Sequence, residues 1–160
     1  KLAGEVVTRG LSDFYGIPYT IVRPSAVYGP TDMNRRVSQI FIEKALNKQK
    51  IKVHGKDEKL DFTYIKDIAH GAILATIKKE GIGEDFNITH GRAHTLLDYV
   101  ECLKYHFPDL DYEILPRDSF RPKRGTLSIE KASKLLGYEP QYSLKEGVND
   151  YVEFINKHWT

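Results

Sequence analysis

Residues 17–30 read IPYTIVRPSAVYGP. Ile17, Tyr19, Ile21 and Val22 favour β structure, Pro18 suits a strand entry and Pro24 an exit, so the run predicts a buried strand that empties into a loop. Upstream, apolar Leu2, Val6, Val7, Leu11 and Phe14 recur at helical spacing, and Gly16 is placed to stop that helix. Downstream, SAVYGPTDMNRR is rich in turn formers and long enough to carry function. The alternation continues to the end of the chain. VSQIFIEKALNKQ predicts an amphipathic helix, IKVHG a short strand, IKDIAHGAILATIKK a well-packed helix, and FNIT a buried strand. Thr95 is expected to cap a helix over LLDYVECLKYHF that Pro108 ends, and YEILP reads as a strand. Ser128 is placed to cap IEKASKLLG, with Gly137 as its stop, and SLKEGVNDYVEFINKHW predicts a last helix. Helices alternating with short strands define an α/β architecture, without repeats or linkers.

Composition narrows the classes. At 160 residues, 41% hydrophobic and 29% charged, with a net charge of +2, the chain can bury a core and lacks the basic excess of a nucleic-acid binder. No run is apolar enough to span a bilayer, so no membrane role is expected. One cysteine, Cys102, excludes an internal disulfide and points to a reducing compartment, the cytoplasm. Set among apolar helical positions, it reads as a buried small hydrophobe. NKQKIKVHGK concentrates positive charge without interleaved aromatics and reads as a solvated face.

In order and spacing, KLAGE, YGIPYTIVRPSAVYGP, LDFTYIKDIAHGA, FNIT and KASKLLGYEPQYSLKEGV together resemble the C-terminal half of the extended short-chain dehydrogenase/reductase family, in its NAD-dependent nucleotide-sugar epimerase and dehydratase branch. The resemblance runs from Lys1 to about Trp159, and RPSAVYGP and DFTYIKD are its most specific pieces. It implies the C-terminal part of a Rossmann-type parallel sheet plus a smaller α/β substrate-binding domain. Residues 1–30 would end the NAD-binding domain, 31–160 would be mainly substrate-binding, and about 61–90 would return to the Rossmann domain.

The family carries a tyrosine four residues before a lysine on one helix, a stretch that commonly continues as KxxxE or KxxGE; Lys1, Gly4 and Glu5 fit. Residues four apart share a helix face, so the ammonium would lie beside the tyrosine hydroxyl and the nicotinamide ribose and favour the phenolate as base. Lys1 is therefore the implied catalytic and cofactor-binding residue. Neither the tyrosine nor a glycine-rich dinucleotide turn is present. Gly81 and Gly83 lead into a strand, whereas a phosphate cradle leads into a helix. The sequence is accordingly expected to be a fragment that alone neither binds NAD tightly nor turns over.

The resemblance assigns further residues. Pro24, Ser25 and Val27 are expected on the cofactor side of the strand exit. Arg23 stands where many relatives have an asparagine that touches the substrate; it either serves likewise or ties the loop through backbone carbonyls. A nucleoside-diphosphate sugar is the implied partner, and arginine recognises phosphate through paired charge-assisted hydrogen bonds. Arg36 and Val37 open the helix set against the nucleotide, Lys52, Val53 and His54 line the base pocket, and Arg121 and Arg124 reach the phosphates. One departure stands out: Leu60 replaces an arginine that many relatives place before the Asp of the DFTY segment. Asp61 and Asp67 are expected to fix the turn and cap the following helix. His90 and His94 have i, i+4 spacing, but Gly91 and the strand context argue against one helix, and no metal is expected. The implied activity is a 4-epimerase acting through a transient 4-keto sugar, because RPSAVYGP differs from the asparagine-rich equivalent of the dehydratases. A 4,6-dehydratase, a uronate decarboxylase and a non-catalytic binding module are the alternatives. A homodimer is expected of the intact enzyme, with Leu2, Val6 and Leu11 serving either that contact or an internal core.

Overall fold

The computed structural model describes residues 1–120 and 122–158. The helix expected at the start is α1 (Leu2–Tyr15), which Gly16 ends in a left-handed conformation. The strand expected over residues 17–24 forms only in its second half, as β1 (Ile21–Pro24). Its first half is fastened elsewhere: Tyr19 O accepts from Gly83 N at 2.7 Å and Thr20 Oγ1 donates to Gly81 O at 2.6 Å. β1 pairs in parallel with β6 (Asp85–Ile88), Ile21 facing Asp85 and Pro24 facing Ile88. The helix α3 (Ile65–Ile77) lies on this pair. It can approach closely because position 71 is glycine, where a Cβ would come within 2.3 Å of Ile88 Cγ2. Phe86, Ile88, Ala75 and Tyr138 form a core here with Ala132 and Leu136 of α5 (Glu130–Leu136). The late helix α5 thus joins the β1–β6 layer.

The second and larger core lies under the cleft described below. β3 (Ile51–His54) pairs in parallel with β8 (Tyr112–Leu115), and α2 (Val37–Leu46), α4 (Leu96–Lys104) and α6 (Leu144–His158) pack around them. Ile51, Val53, Leu103 and Val148 are wholly buried. Four short strands complete the inventory of pairs: β2 (Val27–Tyr28) runs parallel to β5 (Thr63–Tyr64), and β4 (Lys59–Leu60) runs antiparallel to β7 (His94–Thr95). Tyr28 meets Phe62 and Tyr99 edge-on, with ring centroids 6.1 and 5.7 Å apart, a geometry that adds to area burial. Tyr28 reaches α6 at Gly147, whose hydrogen a methyl group could not replace without meeting the phenol oxygen. Thr95 caps α4 as expected, in a full capping box with Asp98.

The expected aspartate caps are not formed. α3 has Tyr64 at its N-cap position and no side-chain cap. Asp61, wholly buried, instead accepts from Gly91 N at 3.2 Å and Leu127 N at 3.1 Å, and Asp67 accepts from Gln141 N and Tyr142 N at 2.8 and 3.2 Å. Both carboxylates are structural, and both satisfy backbone donors of distant loops, where a buried charge finds the partners it requires.

Candidate functional site

Between β3, α2 and the segment after β8 lies a cleft of about 610 Å³. Its apolar wall comes from Ala26, Val27 and Val37, with Ile40, Phe41 and Phe62 beneath. Its polar rim carries six cationic side chains among the described residues, Arg35, Arg36, Lys44, Lys52, Arg117 and Arg124, against two acidic ones, Glu58 and Asp118. Excess positive charge over an apolar wall suits an anionic ligand with an apolar part, and the volume falls within the ~300–1,000 Å³ of small-molecule sites.

Each rim residue has a local reason for its place. β3 alternates, with Ile51 and Val53 inward and Lys52 and His54 outward, because successive side chains of a strand face opposite ways. Lys52 and His54 therefore line the cleft, while Val53 is wholly buried and turned to the core, away from the pocket expected for it. Lys52 also pairs with Glu113 across the ladder at 3.6 Å. β8 runs beside β3 with Leu115 facing His54, so the chain leaving β8 delivers Arg117 to Glu58, with which it forms a short ion pair. Arg36 occupies the N-cap of α2 and donates to Val27 O at 3.3 Å, and Val37 begins the helix. Arg124 lines the cleft from the segment between β8 and α5. Leu127, three residues on, is held by Asp61.

Of the residues expected to form the site, Val27, Arg36, Val37, Lys52, His54 and Arg124 meet at this cleft. Arg121 lies outside the described residues. Lys1, Pro24 and Ser25 lie at a different place, the C-terminal end of the β1–β6 pair. Arg9 bonds Asp85 beside Ile21, and Glu5 bonds Arg23, so α1 runs antiparallel to β1. One more helical turn carries Lys1, whose carbonyl accepts from Glu5 N, past the strand exit. Arg23 does not tie the loop through backbone carbonyls. Its Nε and Nη2 donate to Glu5 at 2.8 and 2.6 Å and its Nη1 to Asp85 at 2.6 Å, binding α1 to the strand pair. The hydrogen bond from Arg23 holds the Glu5 carboxyl below its usual range.

Arg35, Lys44, Glu58 and Arg117 were not anticipated. Arg35 had a sequence signal in its place beside Arg36, and Arg117 had one in following a strand directly. His90 and His94 occupy a loop and a strand rather than one helix, as their setting implied; their rings lie 5.9 Å apart, and burial lowers the pKa of His94.

Comparison with known proteins places this arrangement. A family model described as the NAD dependent epimerase/dehydratase family matches residues 1–89. An uncharacterized UDP-glucose epimerase of Bacillus subtilis is 28% identical over 98% of this chain and 50% of its own length. Among solved structures, the UDP-glucose 4-epimerase of Thermotoga maritima with UDP-glucose superimposes with a TM-score of 0.89 at 30% identity, covering 100% of this chain and 53% of that one. The UDP-glucuronic acid 4-epimerase of Bacillus cereus, in complex with UDP-glucuronic acid and NAD, gives 0.88 at 29% identity over 98% and 51%. The chain thus spans about half the length of the relatives it matches, and its α/β architecture with parallel strands is that of the Rossmann-type epimerases.

Proposed function

This chain belongs to the NAD dependent epimerase/dehydratase family, and on that premise we propose that it is the substrate-binding part of a nucleotide-sugar 4-epimerase acting through a transient 4-keto sugar. The observation that carries the proposal is the cleft, whose guanidinium and ammonium groups ring an apolar wall of the size a nucleotide sugar needs. The cations would fix the diphosphate and the apolar wall the nucleoside. A sugar tethered only through its diphosphate can turn over between losing and regaining its C4 hydrogen, which epimerisation demands and dehydration does not.

NAD would supply the reversible transfer of the C4 hydride. The described residues fit one end of it: an exposed Lys1 beside the Pro24–Ser25 strand exit, at the C-terminal ends of parallel strands, suits the ribose and nicotinamide. They contain no turn suited to its pyrophosphate, since Gly81 and Gly83 precede strand β6 rather than a helix. Lys1 would hold a ribose hydroxyl and favour the phenolate of a tyrosine four positions before it. We group residues 1–30 and 61–90 with the Rossmann domain, supported by the core around β1 and β6, and add α5, which packs into that same core. The remainder forms the substrate-binding domain.

We further propose a homodimer in the cytoplasm. α1 buries none of its residues and leaves Leu2, Val6 and Leu11 at 75%, 61% and 51% exposure, and Cys102 has no cysteine to pair with. No helix of the described residues is long and apolar enough to cross a membrane.

The test is the full-length polypeptide incubated with NAD and, separately, UDP-glucose, UDP-glucuronate and dTDP-glucose, products being read by mass and NMR. Unchanged mass with inverted C4 is expected. Loss of water or of carbon dioxide would replace the epimerase by a dehydratase or a decarboxylase, and absence of any conversion would favour a binding module.

A further inference from the structure

Four non-glycine residues adopt positive φ among the described residues, and three of them, Ala26, Thr31 and Arg35, fall within ten residues beside the cleft. Side chains rarely tolerate this region, and such strain persists only where the surroundings over-determine it. At Arg35, with φ 51°, the restraint is visible. Its backbone N–H donates to Gln39 Oε1 at 2.7 Å, and Gln39, only 7% exposed, donates in turn to Glu43 at 2.6 Å. A buried amide locked from both ends thus fixes the main chain of an exposed arginine.

What the strain accomplishes shows in the side chains. Arg36 donates to Val27 O and so holds the loop to the strand end. Arg117 is paired with Glu58 and Lys52 with Glu113. Arg35 lines the cleft, and its guanidinium, like that of Arg124, has no hydrogen-bond or ion-pair partner among the described residues; of the two, only Arg35 has its main chain fixed at positive φ. Its donors form a planar fork that matches two oxygens of a phosphate, which an ammonium cannot match.

We infer that Arg35, held in a strained conformation by Gln39, is the residue that grips the diphosphate of the nucleotide sugar, while Arg36 fixes the loop. The inference rests on the proposed nucleotide-sugar reading and adds the residue that enforces it. Stability and binding should then move in opposite directions at this one position. Arg35→Gly relieves the positive φ and raises the melting temperature, yet loses the grip; Arg35→Gln keeps the strain and loses only the charge.

The experiment titrates the 160-residue chain with UDP and with dTDP by calorimetry at low and moderate salt, alongside thermal melts of the free proteins. One or two hydrogen bonds to a phosphate correspond to a loss of about ten- to a hundredfold in affinity for Arg35→Gln and Arg35→Gly, with a shallower salt dependence. Arg35→Lys should recover only part of it. Arg35→Gly should melt a few degrees higher than the unsubstituted chain. If the unsubstituted chain binds a nucleoside diphosphate and Arg35→Gln binds it equally well, the inference is overturned and the nucleotide-sugar reading stands. If the unsubstituted chain binds neither, both fall. A lower melting temperature for Arg35→Gly would overturn the strained grip.

Discussion

Substituting Asp61 should unfasten the cleft from below. The carboxylate is wholly buried and accepts two backbone N–H donors, Gly91 N at 3.2 Å and Leu127 N at 3.1 Å, from loops 30 and 66 residues away in sequence. A hydrogen bond to a charged group contributes roughly 1.5–3 kcal/mol, and a buried donor left unpaired costs about 1–3 kcal/mol. Leu127, 36% exposed, can recruit water when its partner goes, which brings its share towards the low end. Asp61→Ala should therefore destabilise the chain by about 2–4 kcal/mol, a large fraction of a typical stability of about 5–15 kcal/mol. Asp61→Asn retains one acceptor but turns an NH2 towards one of the two donors, and should cost about 1–3 kcal/mol. Because Leu127 anchors the segment bearing Arg124, ligand affinity should fall along with stability. Urea unfolding followed by circular dichroism measures the first, and hydrogen exchange at Leu127 localises it. Asp61→Ala losing less than about 1 kcal/mol, with Leu127 exchange unchanged, would refute the bracing role.

Two further outcomes follow from the packing and the charges. Gly147→Ala sets a Cβ 2.1 Å from Tyr28 Oη, a clash that must move the phenol or helix α6, and should cost about 1–3 kcal/mol in urea unfolding, well beyond what the helix gains from alanine. Glu5, held below its usual pKa by Arg23, adds stability that is complete above the ordinary carboxylate range and is lost as pH falls through the lowered value. Arg23→Met should flatten that acid limb of the melting profile, and an unchanged limb would remove Arg23 as its cause.

What was legible in the sequence was local. Thr95 and Asp98 make a capping box three residues apart, Gly16 and Gly137 end their helices, and the apolar spacing of residues 2–15 marks a helix whether or not anything covers it. The cleft was legible where a residue's place depended only on its own element: Arg36 because it starts α2, Lys52 and His54 because β3 alternates. The same alternation, applied strictly, sends Val53 to the core. The partners of Arg23 and Asp61 were not legible, for a different reason. They lie 18 and more residues away, and nothing nearby distinguishes an arginine that meets a substrate from one that meets Glu5 and Asp85.

Arg117 shows how far such dependence reaches. It meets Glu58 only because β8 lies parallel to β3 in one register, His54 opposite Leu115, across 61 residues of chain. A slip of one residue would bring Ile114 opposite His54 and turn the outward face of β8 inward, exposing what Ile51 and Val53 now pack against. The buried residues of β3 therefore fix the position of a half-buried arginine just beyond the far strand. The charge at the cleft is a consequence of the core beneath it, and a substitution such as Val53→Asp should disperse the rim without touching any residue of it.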